Sequence, residues 1–387
     1  MAEQMIYDSG NHSRKPRNSD PLPLRAADAV MTVMTAVLAV TGVLTLMVPY
    51  VKPARLGVLP VLAVVAPIVY VGVIVTMLYW IMRWRWRRAG VMIALAVAGL
   101  AYVPRYFNPQ LRRVYDQPTY QRSALKVMSY NLRCFFPDSK DPDFTYDSIA
   151  DFVLRFSPDV ICFQEYLHRN NMAQHRFDSM MGDYRKAVLE NIDSPIAIYS
   201  RYRIADWGRV AYLDADSVKR GKAMWADIVV GHDTLRVFNV HLNSTSIKSD
   251  EADYIVNYKY MSDSARNTKL LGMVRRLNEN TVNRSYHVDE LAAMMRATTH
   301  ATILCGDFND TPMSYAYQTL AHSMTDAFRE CGQGYSHTYR GFFDLLRIDY
   351  ALFDSERFDV LSYEVPDSIC WSDHLPVCVR AQLIDNR

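Results

Sequence analysis

Two uninterrupted apolar stretches near the N-terminus constrain this chain more than any other feature. Ala29–Val51 carries no charge and little polarity beyond threonines, and Leu56–Met82 is apolar throughout, with Pro60 and Pro67 inside it. Each reaches the ~20 residues that an α-helix needs to cross a bilayer. A third stretch, Ala89–Val103, is apolar but short, and is followed by Tyr106, Phe107 and Arg105, a set suited to a membrane–water interface. It either crosses or lies as a buried or interfacial helix. A cleavable signal peptide is not expected: the first run is too long for an h-region, lacks an A-x-A site and is followed by further apolar runs.

Positive charge gives an orientation. Arg14, Lys15, Arg17 and Arg25 precede the first run, and Arg83, Arg85, Arg87 and Arg88 follow the second, interleaved with Trp84 and Trp86; only Lys52 and Arg55 lie between. The positive-inside rule places both basic clusters in the cytoplasm. Leaving the uncharged Gly90–Val103 run as a soluble helix would expose apolar surface all round, so three crossings are expected, with the remainder of the chain on the extracytoplasmic, periplasmic side. The division that follows is a basic cytoplasmic segment at 1–26, a three-helix membrane anchor at 27–107, a proline-containing linker at 108–123 and a soluble domain at 124–387. The bilayer is the expected partner, and no obligate protein partner is evident.

The overall charge of +2 hides an asymmetry. The 13 Lys/Arg and 4 acids up to Tyr115 leave 30 basic against 37 acidic residues beyond it, a net charge of −7. Chains that hold duplex DNA through its phosphates usually show a basic footprint, which weighs against a dedicated nucleic-acid binder. The six cysteines show no C-x-x-C or zinc spacing, and read as buried thiols.

The soluble part alternates short β-like runs with a few helices. Leu125–Asn131, Val160–Gln164, Ile196–Tyr199, Ala223–Val230, Leu235–His241, Ala301–Cys305, Ile348–Phe353 and Pro376–Gln382 read as strands, and Thr145–Phe156 as a helix. Asp250–Arg296 is a polar, mostly helical insertion, in which Tyr254, Tyr258 and Tyr260 form either a solvated helical face, or a lid or a surface that stacks on a base. Adjacent β runs with few helices between them predict an α/β sandwich with mixed sheets rather than a repeating β-α-β fold.

One pattern recurs: an apolar strand ends in an acid, an amide or a histidine. It appears at M-S-Y-N (Asn131), I-C-F-Q-E (Glu165), F-N-V-H-L-N (His241, Asn243), I-L-C-G-D-F-N-D (Asp307, Asn309), R-I-D-Y (Asp349) and W-S-D-H-L-P-V (Asp373, His374). Alone, each is as well explained by a turn or a structural histidine. Together, at one sheet edge, their hard oxygens suit Mg²⁺, Mn²⁺ or Ca²⁺, and their histidines suit proton transfer and charge stabilisation at phosphorus.

With these motifs, in this order, the sequence from about Lys126 to Leu383 resembles the endonuclease/exonuclease/phosphatase superfamily. The resemblance implies a four-layered α/β sandwich of the DNase I-like kind behind the N-terminal transmembrane helices. Glu165 then resembles the principal metal ligand, with Asn131 and Asp373 near the metal. Asp307 and Asn309 resemble the pair that orients the attacking water and contacts phosphate or a second metal. His374 resembles the catalytic histidine, and Asp349 the carboxylate that orients it. His241 matches the branch with a second histidine there; the abasic-site endonuclease branch has tyrosine. Asn243 is either a substrate contact or a turn residue. The implied activity is metal-dependent hydrolysis of a phosphate mono- or diester, with a lipid headgroup, nucleotide or nucleic acid as substrate. A membrane-anchored nuclease is the alternative; a non-catalytic binding protein on a degenerate fold is the alternative of another class, against which every motif position keeps a chemically competent residue.

Overall fold

The computed structural model describes residues 21–57, 59–109, 124–135, 146–166, 171–190, 194–210, 222–244, 263–341 and 344–384. Tyr254, Tyr258 and Tyr260 lie outside them, as does nearly all of the expected linker at 108–123. The chain opens with three helices, α1 (Leu22–Met47), α2 (Leu59–Met82) and α3 (Trp86–Leu100). α1 and α2 are long and apolar enough to cross a membrane; α3 is shorter. Only 17% and 22% of their most apolar windows are buried, so these are not the core helices of a soluble domain. The threonines of α1 are compatible with an apolar surrounding because their hydroxyls donate to the carbonyls one turn back: Thr32 to Asp28, Thr35 to Met31 and Thr45 to Thr41.

The three helices are locked together. Arg83, at the end of α2, donates twice to the Asp28 carboxylate of α1, both at 3.0 Å, and Trp80 Nε1 donates to Thr35 Oγ1 at 2.7 Å. α2 and α3 approach so closely that a Cβ on Gly99 would lie 2.3 Å from the Tyr70 ring.

Beyond them the expected sandwich is present. One sheet orders its strands as β13 (Phe358–Glu364), β14 (Val377–Leu383), β2 (Leu125–Asn131), β3 (Val160–Gln164), β5 (Ile196–Ser200) and β4 (Arg185–Leu189). The other runs β10 (Met324–Asp326), β12 (Asp349–Asp354), β9 (Ala301–Asp307), β8 (Asp233–His241), β7 (Lys222–Val230) and β6 (Arg203–Arg209). Each is antiparallel except at its centre, where β2 pairs with β3 and β8 with β9 in parallel. Val127, Cys162, Ile198, Val237, Ile303 and Val379 belong to the core between the sheets. Outside the first sheet pack α4 (Tyr146–Phe156) and α5 (Asn171–Met180), through Ile149, Val153 and Phe177. Outside the second pack α6 (Asp263–Ala297) and α7 (Tyr315–Leu320), through Val288, Leu291 and Tyr317. The result is four layers, α/β/β/α.

Asn108, the first residue of the expected linker, is held: β1 (Phe107–Asn108) pairs with β11 (Gly334–Tyr335), and just before it Arg105 donates to Pro312 O and Gln318 Oε1. In α6, the helical part of the insertion, Arg284, Ser285, Val288 and Leu291 are buried. One expectation needs correcting: Asp349 opens a strand rather than closing one. β12 runs antiparallel to β9, so its first residue pairs with the last residue of β9, Asp307. β14 likewise runs antiparallel to β2, which brings His374, just before it, to the edge where Asn131 ends its strand.

Candidate active site

The sheet edge is prepared from beneath by buried polar contacts. Gln164, beside Asn131 in register, donates across the sandwich to Asn239 Oδ1 at 2.7 Å, and Asn239 donates to the carbonyls of Phe163 and Ala197. Such a rung of buried hydrogen bonds fixes the offset between two sheets that apolar packing alone would leave free to slide. Above it the backbone turns sharply. Glu165 has φ 49° and Asn309 φ 51°, left-handed conformations that favour short polar residues and cost most others. Gly306 has φ +139°, and a Cβ there would lie 2.0 Å from the Val240 carbonyl oxygen. Only glycine lets β9 lie this close to β8 while Asp307 pairs with His241. Gly306→Ala is expected to lower stability by about 2–4 kcal/mol, measured by urea unfolding, because the clash is with backbone that cannot rotate away.

Asp307 is the hub. Its carboxylate, 1% exposed, accepts from Asn131 Nδ2 at 3.2 Å, from Asn309 Nδ2 at 3.0 Å and from the Asn309 amide at 2.7 Å. His241 Nε2 lies 3.7 Å from Asp307 Oδ2, and His374 Nε2 lies 3.8 Å from the same oxygen. Behind His374, Asp349 accepts from Nδ1 through both oxygens, at 3.1 and 2.9 Å. This holds the ring in place through Nδ1 and leaves Nε2 on the side of Asp307. Asp349 is itself oriented by Thr338, whose hydroxyl accepts from the Ile348 and Asp349 amides. Glu165 completes the group, with Oε1 3.6 Å from His241 Nε2 and Oε2 3.7 Å from Cys134 Sγ.

The electrostatics divide the two histidines. Burial opposes a charge on His374, but Asp349 and Asp307 outweigh it and raise the imidazole to about 10; it is protonated at neutral pH. His241 goes the other way. Burial, then repulsion from Lys222 and His374, holds it well below the ordinary 6.5. It is a neutral imidazole, and its Nδ1 is buried with no hydrogen-bond partner among the described residues. Burial also raises Asp307, against the pull of His374 and with help from Asp349, to about 7, which suits a group that exchanges a proton with water.

Two sequence-picked residues stand slightly apart. Asp373 turns to Arg133, with Oδ2 3.5 Å from Nε. Asn243 lies at the edge, but its contact is through its carbonyl, which accepts from Arg284 Nε and Nη2 at 3.0 and 2.7 Å; its side chain makes no hydrogen bond to Asp307 among the described residues. Sequence reasoning missed Thr338 and Tyr339. The Tyr339 ring packs on the His374 imidazole at 5.0 Å between centroids. Burial, then Asp373, Asp307 and Glu165, push its phenol up to about 12, so a neutral hydroxyl stands beside the acids. The S-H-T-Y-R segment that carries both residues has no periodicity to mark it.

The donor set fits a hard divalent cation. Four carboxylates, Glu165, Asp307, Asp349 and Asp373, share one edge with His374 and Arg133 as the cations in contact. Glu165 is faced by the neutral His241, so among the described residues no cation pairs with it. Asp307, Asp349 and His374 are close enough to share an ion, but Nδ1 of His374 is engaged with Asp349 and both Asp307 oxygens accept hydrogen bonds, so Glu165 offers the most open oxygens.

Two family models match the chain. The endonuclease/exonuclease/phosphatase family matches residues 128–374, and a domain of unknown function matches residues 28–106. No curated protein matches the sequence. Similar solved structures include an endonuclease/exonuclease/phosphatase family protein from Bacteroides thetaiotaomicron, 18% identical over 68% of this chain and 98% of that one, TM-score 0.48. A mannosyl-6-phosphatase from the same organism is 18% identical over 67% and 99%, TM-score 0.46. The D. rerio TDP2 complexed with a single-strand DNA product is 12% identical over 67% and 99%, TM-score 0.46.

Proposed function

The chain belongs to the endonuclease/exonuclease/phosphatase family, and on that premise we propose that it is a divalent-metal-dependent hydrolase of phosphate esters held at a membrane by its N-terminal helices. The observation that carries this reading is the protonated His374–Asp349 couple aimed at a buried Asp307 beside Glu165, with which no cation pairs among the described residues. Glu165, with Asp307, Asn131 and Asp373 around it, would hold the metal. When bound, the ion supplies Lewis-acid polarisation of a phosphoryl oxygen and neutralises charge developing there. The protein's own groups do the rest. Asp307, held by Asn131 and Asn309, aligns a water and takes its proton. His374, kept charged by Asp349, donates from Nε2 to a non-bridging oxygen, and neutral His241 donates a second hydrogen bond.

The helices support a location and a substrate preference. The 48–66 stretch packs on the catalytic domain through Val48, Leu59, Ala63, Ala66 and Met313, and Lys52 pairs with Asp289 at 2.6 Å. The end of α3 meets the same domain through Arg105. Both contacts lie at the end of the bundle away from Arg83–Arg88. A domain on the same side as that basic cluster would be out of reach of the α1–α2 loop. These contacts support a reading in which α3 crosses as well, its 15 residues spanning about 22 Å with the following 3₁₀ turn Val103–Arg105 extending it. By the positive-inside rule the catalytic domain faces away from the cytoplasm. Fused after Asn108, alkaline phosphatase is expected to be active and β-galactosidase inactive; the reverse pattern refutes the topology.

A site so close to the bilayer, on a domain of net charge −7, favours lipid headgroups and small phosphoesters over duplex DNA. The test is turnover by the full chain in nanodiscs with Mg²⁺ against phosphoinositides, sphingomyelin, nucleotides, sugar phosphates and plasmid DNA. Preferential cleavage of the plasmid would make it a nuclease, and no turnover of any ester would make it a binding protein.

A further inference from the structure

Pro67 lies inside α2. Having no N–H, it leaves the carbonyl four residues back, that of Ala63, without its helical donor. Inside an apolar bundle such a carbonyl needs another partner. The partner is Thr311, 248 positions away, whose hydroxyl donates to Ala63 O at 3.0 Å from a site 4% exposed. Thr311 lies two residues beyond Asn309 and four beyond Asp307, in the G-D-F-N-D-T-P-M segment. Its neighbours are fixed with it. Asp310 forms a buried ion pair with Arg284 and accepts from the Thr311 amide at 3.0 Å. The Pro312 carbonyl accepts from Arg105 at 2.9 Å, and Met313 sits in the cluster of Val48, Leu59, Ala63 and Ala66.

We infer that the proline-freed carbonyl of Ala63 is a dock for the catalytic segment, making Thr311 a positioning residue through which the membrane anchor holds Asp307 and Asn309 in register with His241 and His374. The anchor is thereby part of the active site's scaffold as well as a tether. The left-handed Asn309 explains why a second hold is needed. Its φ of 51° is costly for a side chain with a Cβ, and the Asn309–Asp307 hydrogen bonds tie the segment on its N-terminal side. On its C-terminal side Thr311 adds a hold on α2 to those of Asp310 on Arg284 and of Pro312 on Arg105.

This inference rests on the hydrolase reading, so its test has one arm that needs turnover and one that does not. In full-length chain in nanodiscs, with bis(4-nitrophenyl) phosphate and MgCl₂, Thr311→Val is expected to lower kcat about tenfold with KM within about twofold, the effect of leaving one buried acceptor unpaired. Thr311→Ser, which keeps the hydroxyl, is expected to restore the wild-type rate. Pro67→Ala gives residue 67 an N–H for Ala63 O, so Thr311→Val should cost less in that background. Independently of turnover, the amides of 307–314 should exchange with deuterium about tenfold faster in Thr311→Val than in the wild type or Thr311→Ser. Wild-type kcat or unchanged exchange in Thr311→Val overturns the inference, as does a Thr311→Ser variant as impaired as Thr311→Val. Absence of turnover in the wild type overturns the hydrolase reading, and the exchange arm still judges the dock.

Discussion

His374→Ala is expected to lower kcat by about 10³–10⁴-fold while the chain melts within a few degrees of the wild type, and Asp349→Asn to come within about tenfold of that loss. The two act as one device. Asp349 accepts from Nδ1 with both oxygens, which orients the ring and keeps it charged; an asparagine there has one acceptor oxygen and no charge. The double variant should therefore be hardly slower than His374→Ala, and a loss equal to the product of the single losses would mean that the residues act separately. The linked change is in titration. His374 gains its proton affinity from the carboxylates, so its charge persists as pH rises until about 10 and is lost above. Replacing Asp349 removes the stronger of the two attractions and moves that loss to lower pH. The His374 ring-proton shifts in metal-free protein should follow it down; a midpoint unmoved by Asp349→Asn would refute the coupling.

The second large effect is expected at Glu165. Glu165→Ala should cost about 10³-fold or more in kcat/KM at fixed Mg²⁺ and shift half-maximal activation to higher metal concentration. EDTA in excess should abolish wild-type turnover, and Mg²⁺ or Mn²⁺ should restore it. The reason is charge balance. Asp373 has Arg133 and Asp349 has His374, but Glu165 faces a neutral imidazole at 3.6 Å. Its carboxylate is half-sheltered on a left-handed residue, a placement with no packing benefit. Full activity in EDTA would show that the carboxylates act without an ion.

What could be read from the sequence follows from burial. The central strands are apolar on both faces because each sheet is covered on both sides, so Val160–Gln164 and Ala301–Cys305 stand out as continuous runs. Their polar terminators were visible for the same reason: Asn131 or Asp307 has no core value at such a place. The edge strands β4, β6 and β13 were not legible. β6 leaves Arg203, Ala205, Asp206 and Trp207 exposed and β4 leaves Arg185 and Lys186 exposed, so neither carries a hydrophobic alternation. Nor did the sequence indicate how the anchor meets the catalytic domain. Lys52–Asp289 and Thr311–Ala63 join residues more than two hundred positions apart, through one ion pair and one hydroxyl that no local pattern signals. In the sequence Pro67 is only a proline inside an apolar run; its meaning depends on a partner elsewhere.

The antiparallel seat of β14 between β2 and β13 bears on how the protein is made. Val377–Leu383 supplies the neighbour for Leu125–Asn131 on one side and for Phe358–Glu364 on the other. The helices and the second sheet precede it in the chain, so they can be inserted and paired while the ribosome is still at work. The first sheet cannot close until this strand emerges, and His374 arrives only just ahead of it. Until then β2 presents an open edge, the kind of surface that seeks foreign strands, and Asp349 has no imidazole to hold. A nascent chain is thus without its completed site, and one that stops short of residue 377 lacks the strand that closes the first sheet and leaves β2 open to aggregation.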